Sequence, residues 1–542
     1  MSDAKALIDQ QARLASRRSN FETWWQEIAY RVMPASATFT VLDDVGSKRT
    51  ERLFTGKAVT ANERFASVMD ELLTPRSQVW HMLAGDGEND FEFDSEEAEY
   101  FERLNKLLFT MRYRPQANFA SQKHQGYLDV GAFGNSCMFI DEEVGRGTRY
   151  AHIPLPEVYW AENHQGVIDT VYRRFRLDAR QALQKWPKGL PPKIVEAATK
   201  DPFKEFEFLH CVRPNEERKA NRRDAAGMKW ASHYVSIDEQ AIIATGGYTS
   251  WPYAIGRYML AGREMYARSP AMACWGAILT LNEEKKTVLR AGQRQTEPPL
   301  LMTEDGALEP FNMRSGALNP GTLSDAGEPL VKALELGGDV PLGMELMALE
   351  TQEIEDSFLV SVFKILAEHP QMTATQVLEI TQQKATLLAP VMGRQHSEDL
   401  GPMIEREVDI ASRMSENRWI TEEMPDSLRE RMGSFKIEYR SPLARAMRAQ
   451  DGVAIVRTFE VLPAAIAVDK DAALVLDVKA AVRELAEING VPAKLIRDKQ
   501  RVEEMMQANA EAEQVAQVAA IAPEMSQAAL NAAKADQLRS SV

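Results

Sequence analysis

The chain is 542 residues long, 44% hydrophobic and 26% charged, with 64 basic against 79 acidic residues and a formal net charge of −15. At roughly 150 residues per domain this is three or four domains, with cores large enough to need no disulfide or metal. The acidic balance excludes a protein that coats nucleic acid by neutralising its phosphates, but not one that lets a polyanion slide past.

Cys137, Cys211 and Cys274 are the only cysteines, far apart and in no C-x-x-C pair, as expected of free buried thiols in a reducing compartment. No apolar h-region follows Met1, and no apolar run reaches the roughly 18 residues of a membrane helix. Assembly in a cytoplasm is expected.

Leu7, Leu14, Phe21, Trp25, Ile28 and Val32 form an apolar stripe of helical period over residues 4–33, and Pro34 ends it. A second helix is predicted over 57–73, stopped before Pro75, and a short strand at Gln78–Leu83. Residues 86–102 hold nine acids and no base, either a solvated loop running into a helix start or an acidic face for a basic partner.

From about 136 to 250 the period changes to 2. Tyr150–Pro154 and Val167–Arg176 are predicted to flank a hairpin turn at Asn163–Gly166. Glu205–Arg213, Met228–Val235 and Ala241–Thr245 are further strands, with a basic loop at Arg218–Arg223.

Pro270 opens a helix that runs to about 291, with Trp275, Ile278, Leu281 and Val288 on one face. Residues 294–340, with five prolines and six glycines, form a small irregular α/β insert. Another helix follows Asp339, with Met347, Ile354, Phe358, Val362 and Ile365 in period. Two long helices bracketing a compact insert make an antiparallel pair.

Thr373–Gln376 has capping-box spacing and opens a helix to Leu388. Ala389–Pro402 reads as a breaker-rich loop, 403–420 as helix, Lys436–Tyr439 as strand and Ser441-Pro442 as a helix start. Asn489-Gly490 ends a later helix. Residues 508–535 contain twelve alanines, a helix held by neighbours or a frayed end. The fold class is α+β, mostly α-helical.

No phosphate-binding G-x-x-x-x-G-K-[ST] is present, nor G-x-G-x-x-G, G-x-S-x-G or H-E-x-x-H. The eight histidines and three cysteines never fall at metal-ligand spacing. An enzyme is not expected, and neither is a cofactor.

The order of these pieces resembles the portal, or head-to-tail connector, proteins of short-tailed bacteriophages. The resemblance is carried by Asn20–Ala29 (NFETWWQEIA), Leu72–Leu83 (LLTPRSQVWHML), Ile153–Trp160 (IPLPEVYW), Met372–Val377 (MTATQV) and Tyr439–Arg445 (YRSPLAR), and spans roughly residues 5–500.

It implies a multi-domain ring, usually of twelve subunits, at one capsid vertex. Residues 1–265 would be an outer wing, 266–293 and 339–367 two stem helices lining a channel, and 294–338 a clip. Residues 368–440 would return to the wing, 441–505 form a crown, and 506–542 a tail. The implied partners are further copies of the chain, double-stranded DNA in the channel, the terminase large subunit, major capsid and scaffolding proteins, and tail adaptor and internal core proteins. No membrane is implied. The rivals are a tail-side adaptor or collar protein, which would lack the helix–insert–helix, and a nucleic-acid enzyme of unknown type.

Residues 303–357 hold twelve acids against Arg314 and Lys332, two thirds of the net charge. Glu345, Glu350, Glu353 and Glu355 would repel DNA phosphate if turned toward an axis, or form an ordinary solvated face. Lys285, Lys286, Arg290 and Arg294 would touch phosphate transiently or pair with acids of a neighbouring stem. The candidate for a loop gripping DNA is 389–402, with Met392, Arg394 and His396 at its tip. The runner-up is 368–373.

Overall fold

The computed structural model describes residues 3–41, 46–85, 95–143, 147–302, 312–334, 340–360, 390–430 and 435–441, and from the remainder only 452, 454–463, 476–488, 502 and 505–506. It divides into two compact units. One comprises 1–84 with 100–443, the other 85–99 with 444–542.

In the first unit, α1 (Asp3–Val32) buries Leu7, Trp25, Ile28 and Val32, as its stripe requires. It also buries Arg18, which donates to the carbonyls of Leu155 and Val158 and lies 3.8 Å over the Tyr159 ring. Desolvating a guanidinium is tolerated only with such partners. Helix α2 (Lys57–Leu73) falls where it was predicted. Strand β1 (His81–Gly85) begins inside the predicted Gln78–Leu83, and α3 (Ser95–Arg112) follows the acidic run. Residues 86–94 of that run lie outside the described residues.

Helix α4 (Phe119–Phe133) leaves Ser121 exposed near its start but buries every residue from Asp129 through Phe133. A helix half buried on all sides shows only a weak amphipathic period. Gly131 lets α2 approach, since a Cβ there would collide with Asn62 and Phe65.

The β-rich region forms two antiparallel sheets. Strands β2 (Asn135–Glu143), β3 (Gly147–His152) and β9 (Tyr253–Arg257) take the order β3-β2-β9. Strands β4 (Val158–Glu162), β5 (Ile168–Asp178), β6 (Glu205–Pro214), β7 (Trp230–Ser236) and β8 (Ala241–Tyr248) take the order β4-β5-β6-β7-β8.

The turn at 163–166 is real. Asn163 Oδ1 accepts from the amides of Gln165 and Val167, and Gly166 has φ +79°. Its strands are β4 and β5, however, paired Trp160↔Val171. Residues 150–152 belong to β3, opposite β2, so the predicted hairpin partner Tyr150–Pro154 is corrected. Pro154 and Pro156 break the chain between the two.

Short helices α5 (Ala179–Lys185) and α6 (Pro192–Lys200) close an aromatic cluster of Phe175, Trp186, Phe206 and Phe208 over one side of the larger sheet. A further core gathers Trp80, Tyr100, Leu108, Phe119, Ile140, Tyr150, Met403, Ile404 and Ile410. All three cysteines are free and buried.

In the second unit the described residues are mainly helical, at 454–463 and Val478–Ile488. Asp477 starts the latter helix by accepting from the amides of Lys479 and Ala480. The helices predicted at 373–388 and after Ser441-Pro442, and the alanine-rich tail, lie outside the described residues.

Candidate functional site: a helix pair bracketing an insert

Ser269 caps the start of α7 (Pro270–Ala273) by accepting from the Met272 amide, with Pro270 in the first helical position. After a break at Cys274 the chain continues as α8 (Trp275–Thr296). The buried face of α8 carries Ala277, Ile278, Leu281 and Asn282. The Asn282 amide donates to Arg52 O at 3.0 Å and accepts from Phe54 N at 2.8 Å, tying the helix to the segment before α2.

Strands β10 (Leu300–Met302) and β11 (Val331–Ala333) follow as a two-stranded antiparallel ribbon, with Leu301 opposite Lys332. No helix occurs between them among the described residues, and residues 303–311 and 335–339 of the insert lie outside these. Then comes α9 (Val340–Ser357), which buries Ile354.

The two helices run antiparallel. Cys274 sits beside Ser357, Glu284 beside Glu350, and Val288 against Gly343. A Cβ on Gly343 would lie 2.7 Å from the Val288 methyl, so glycine there sets how closely the pair packs. Phe358, just past α9, meets Phe65 of α2 at 6.3 Å. The helix expected to reach 367 ends at Ser357, followed by Leu359 at φ +60°, and 361–367 lie outside the described residues.

The predicted charged residues divide into two groups. Lys286 is held by Glu283 at 3.1 Å and lies 5.2 Å over Phe54, while Glu355 reaches Arg64 of α2 at 3.7 Å. Lys285 is half-buried, and Arg290, Arg294, Glu345 and Glu353 are exposed. None of these five makes an ion pair among the described residues.

Glu350 faces Glu284, whose carboxyl is raised above its ordinary value by burial and then by Glu350. An acid with a raised folded-state pKa destabilises the fold above that pKa, and the penalty fades as pH falls through it. Glu284→Gln is therefore expected to raise the melting temperature at neutral pH and to have little effect at pH 4. A lower melting temperature at neutral pH would contradict this.

The expected loop at 389–402 is corrected. Residues 390–394 are helical, Gln395–Leu400 form a π-turn, and α10 (Gly401–Arg413) continues from it. Pro402 occupies the first turn of α10, where a missing N–H costs nothing. Gly393 stays helical without strain.

Met392 is 3% exposed. His396 stacks on Tyr439 with centroids 3.6 Å apart, and burial lowers its pKa to about 4. Arg394 pairs with Glu398 at 3.1 Å. None of these three stands at the tip of a projecting loop. The runner-up, 368–373, lies outside the described residues.

What sequence reading missed is a set of buried ion pairs that join this segment to the body. Lys123 of α4 pairs with Asp399, and Arg257 of β9 with Glu398 and Glu162. Arg112 of α3 pairs with Glu407 of α10. The partners lie 95 to 295 residues apart in the chain, and no local pattern marks them.

Among the described residues no cluster of three or more His, Cys, Asp or Glu could hold a metal. No described helix is long and apolar enough to cross a membrane.

The family model for bacteriophage head to tail connecting proteins matches residues 4–496. The chain belongs to that family. The connector chain is also 25% identical over 544 residues to a protein named probable portal protein of Bordetella phage BPP-1, covering 98% of this chain and 95% of the relative. It is 24% identical over 550 residues to the portal protein of Salmonella phage epsilon15, with the same coverage on both sides.

Proposed function

We propose that this chain is a portal protein, a structural conduit rather than an enzyme. Copies of it form a ring, of twelve in our reading, at one vertex of the phage capsid. Double-stranded DNA is packaged and later ejected through the central channel.

One observation carries the reading. An antiparallel helix pair bracketing a ribbon stands inside a chain whose relatives, aligned over 98% of it, are named portal proteins. In this reading α8 and α9 form the stem, the ribbon and its loops form the clip, and the sheets with α1 to α4 form the wing. The clip is where the terminase large subunit docks and where tail adaptors later bind. Capsid, scaffolding and internal core proteins meet the remaining faces, and the crown falls in 441–505. The ring is assembled in the host cytoplasm and kept in the virion.

DNA carries one negative charge per roughly 1.7 Å of its axis. Helix α9 carries five acids and no cation, α8 four cations and two acids. The pair therefore keeps a surplus of acids, and a ring multiplies it into a wall that repels phosphate. This lowers the chance that DNA sticks in transit. The cations Lys285, Arg290 and Arg294 face out of this chain, toward passing phosphate or a neighbouring copy.

Negative-stain images of the purified protein should show annular particles with a central hole. Compact particles without one would refute the reading. In a packaging assay, Glu345→Gln with Glu353→Gln should slow DNA entry and make it more sensitive to low salt. Incubation with Mg²⁺ and plasmid should give neither nicking nor ATP turnover.

A further inference from the structure

In a chain with a net charge of −15, Arg218–Arg223 places four cations in one short run with no acid among them. The run occupies the loop joining β6 to β7, residues 215–229. Hairpin connections usually take about two to five residues, and much longer ones are mostly functional sites or disordered segments.

This loop is held in shape from within. The Asn215 side chain donates to the carbonyls of Ala226 and Met228, at 3.4 and 3.0 Å. The Lys219 amide donates to Ala226 O at 2.8 Å, and the Arg222 amide closes a turn on Lys219 O at 2.9 Å. Gly227 lets that turn fold back, because a Cβ there would stand 1.8 Å from Arg222 O. Arg218 Nε donates to Gly227 O at 3.0 Å, which anchors one guanidinium. A merely solvated run of charge requires no such scaffold, whereas preorganised cations lose less freedom when they bind.

Arg218, Lys219, Arg222 and Arg223 are all exposed. Asp224 pairs with Arg222. Arg218, Lys219 and Arg223 make no ion pair among the described residues. Glu216 and Glu217 precede the turn, at the foot of the loop.

We propose that this loop is a nucleic-acid contact outside the helix pair, binding the phosphate backbone of double-stranded DNA. Phosphate is recognised by charge and hydrogen bonds alone, from Arg, Lys and Asn side chains and backbone N–H groups. The tip Arg-Lys-Ala-Asn-Arg-Arg supplies these and, Ala220 apart, no apolar side chain. An acidic protein fits less well, since protein interfaces centre on a desolvated apolar core and this tip has none. Backbone contacts read no sequence, so the binding is sequence-independent and falls with salt.

A covalently closed plasmid tests this, because a closed circle cannot thread a ring and so reports only contacts outside a channel. Full-length protein is titrated onto the plasmid at increasing salt, and melting curves establish that the variants fold. Wild type should bind the plasmid, with an affinity that drops steeply as salt rises. Arg218→Gln with Lys219→Gln and Arg223→Gln should weaken binding about tenfold or more, and lower the slope of log affinity against log salt by about 2–3. Lys188→Gln with Lys193→Gln and Lys200→Gln removes as many exposed charges elsewhere and should change neither.

Wild type that leaves the closed plasmid unbound, or a loop variant that binds it as well as the lysine control does, overturns the proposal. So would plasmid binding that survives in the loop variant while capture by immobilised polyglutamate is lost, which would assign the loop to an acidic protein. Annular particles without plasmid binding would remove this contact and keep the portal reading. Plasmid binding without annular particles would do the reverse.

Discussion

Glu407→Ala is expected to destabilise the first unit by about 3–5 kcal/mol, the usual cost of leaving a buried charge without its partner. Glu407 is 1% exposed and Arg112 fully buried. The carboxylate accepts from Arg112 Nε at 3.1 Å, from a second Arg112 nitrogen, and from the Tyr150 hydroxyl. The guanidinium lies 4.6 Å over Trp80, which closes the site from another side.

Burial alone would lower the Arg112 pKa, and the Glu407 charge more than reverses this. Burial, reinforced by Glu407, pushes the Tyr150 phenol well above its ordinary value, so it remains a neutral donor. Removing the carboxylate strands a cation and a hydroxyl together, between α3, β3 and α10. Glu407→Gln keeps an acceptor for Arg112 and should lose less. Urea denaturation of the three proteins checks the ranking. Equal midpoints for wild type and Glu407→Ala would show that the pair contributes nothing.

Gly134→Ala is expected to cost about 2–4 kcal/mol, combining left-handed strain with overpacking. Gly134 ends α4 at φ +78°, its amide donating to Val130 O at 2.9 Å. A Cβ there would stand 2.7 Å from Ala267 O and 2.8 Å from Ser269 N. Those atoms are backbone and cannot swing aside. Ser269 also caps the helix that leads into α8, so a displaced segment at 267–269 would tilt the base of the pair. Fewer assembled rings should therefore accompany the lower melting temperature. A variant as stable as wild type would show that this approach is looser than it looks.

The long helices were legible in the sequence because each has one wet and one dry face, and the larger sheet because its strands are rich in apolar residues packed into cores on both sides. Burial then writes its period into the residues, as in α1 with Leu7, Trp25, Ile28 and Val32. The turn at Asn163–Gly166 was legible because its chemistry is local. The helix–insert–helix was legible for the same reasons.

Where burial has no sidedness, the pattern fails. The C-terminal half of helix α4, Asp129 through Phe133, is buried on every side and blurs its stripe, and the π-turn before α10 is flanked by Gly393, Gly401 and Pro402, which suggested a loop. Met392 and His396 were placed on a projecting tip because glycines and prolines usually mark turns. Tertiary packing against β9 and Tyr439 instead holds that stretch helical.

The sequence by itself determined the acidic charge and the helix pair bracketing an insert, which follow from composition and local periodicity, and through the resemblance of its motifs the class of molecule. Only the tertiary structure decided which charges are available. Lys286 and Glu355 are engaged within the chain, and Lys285, Arg290, Glu345 and Glu353 face outward. The reason is distance along the chain. Arg64 and Glu355, or Arg112 and Glu407, become neighbours only when elements hundreds of residues apart are packed together. Such pairing leaves no trace in either residue's local surroundings.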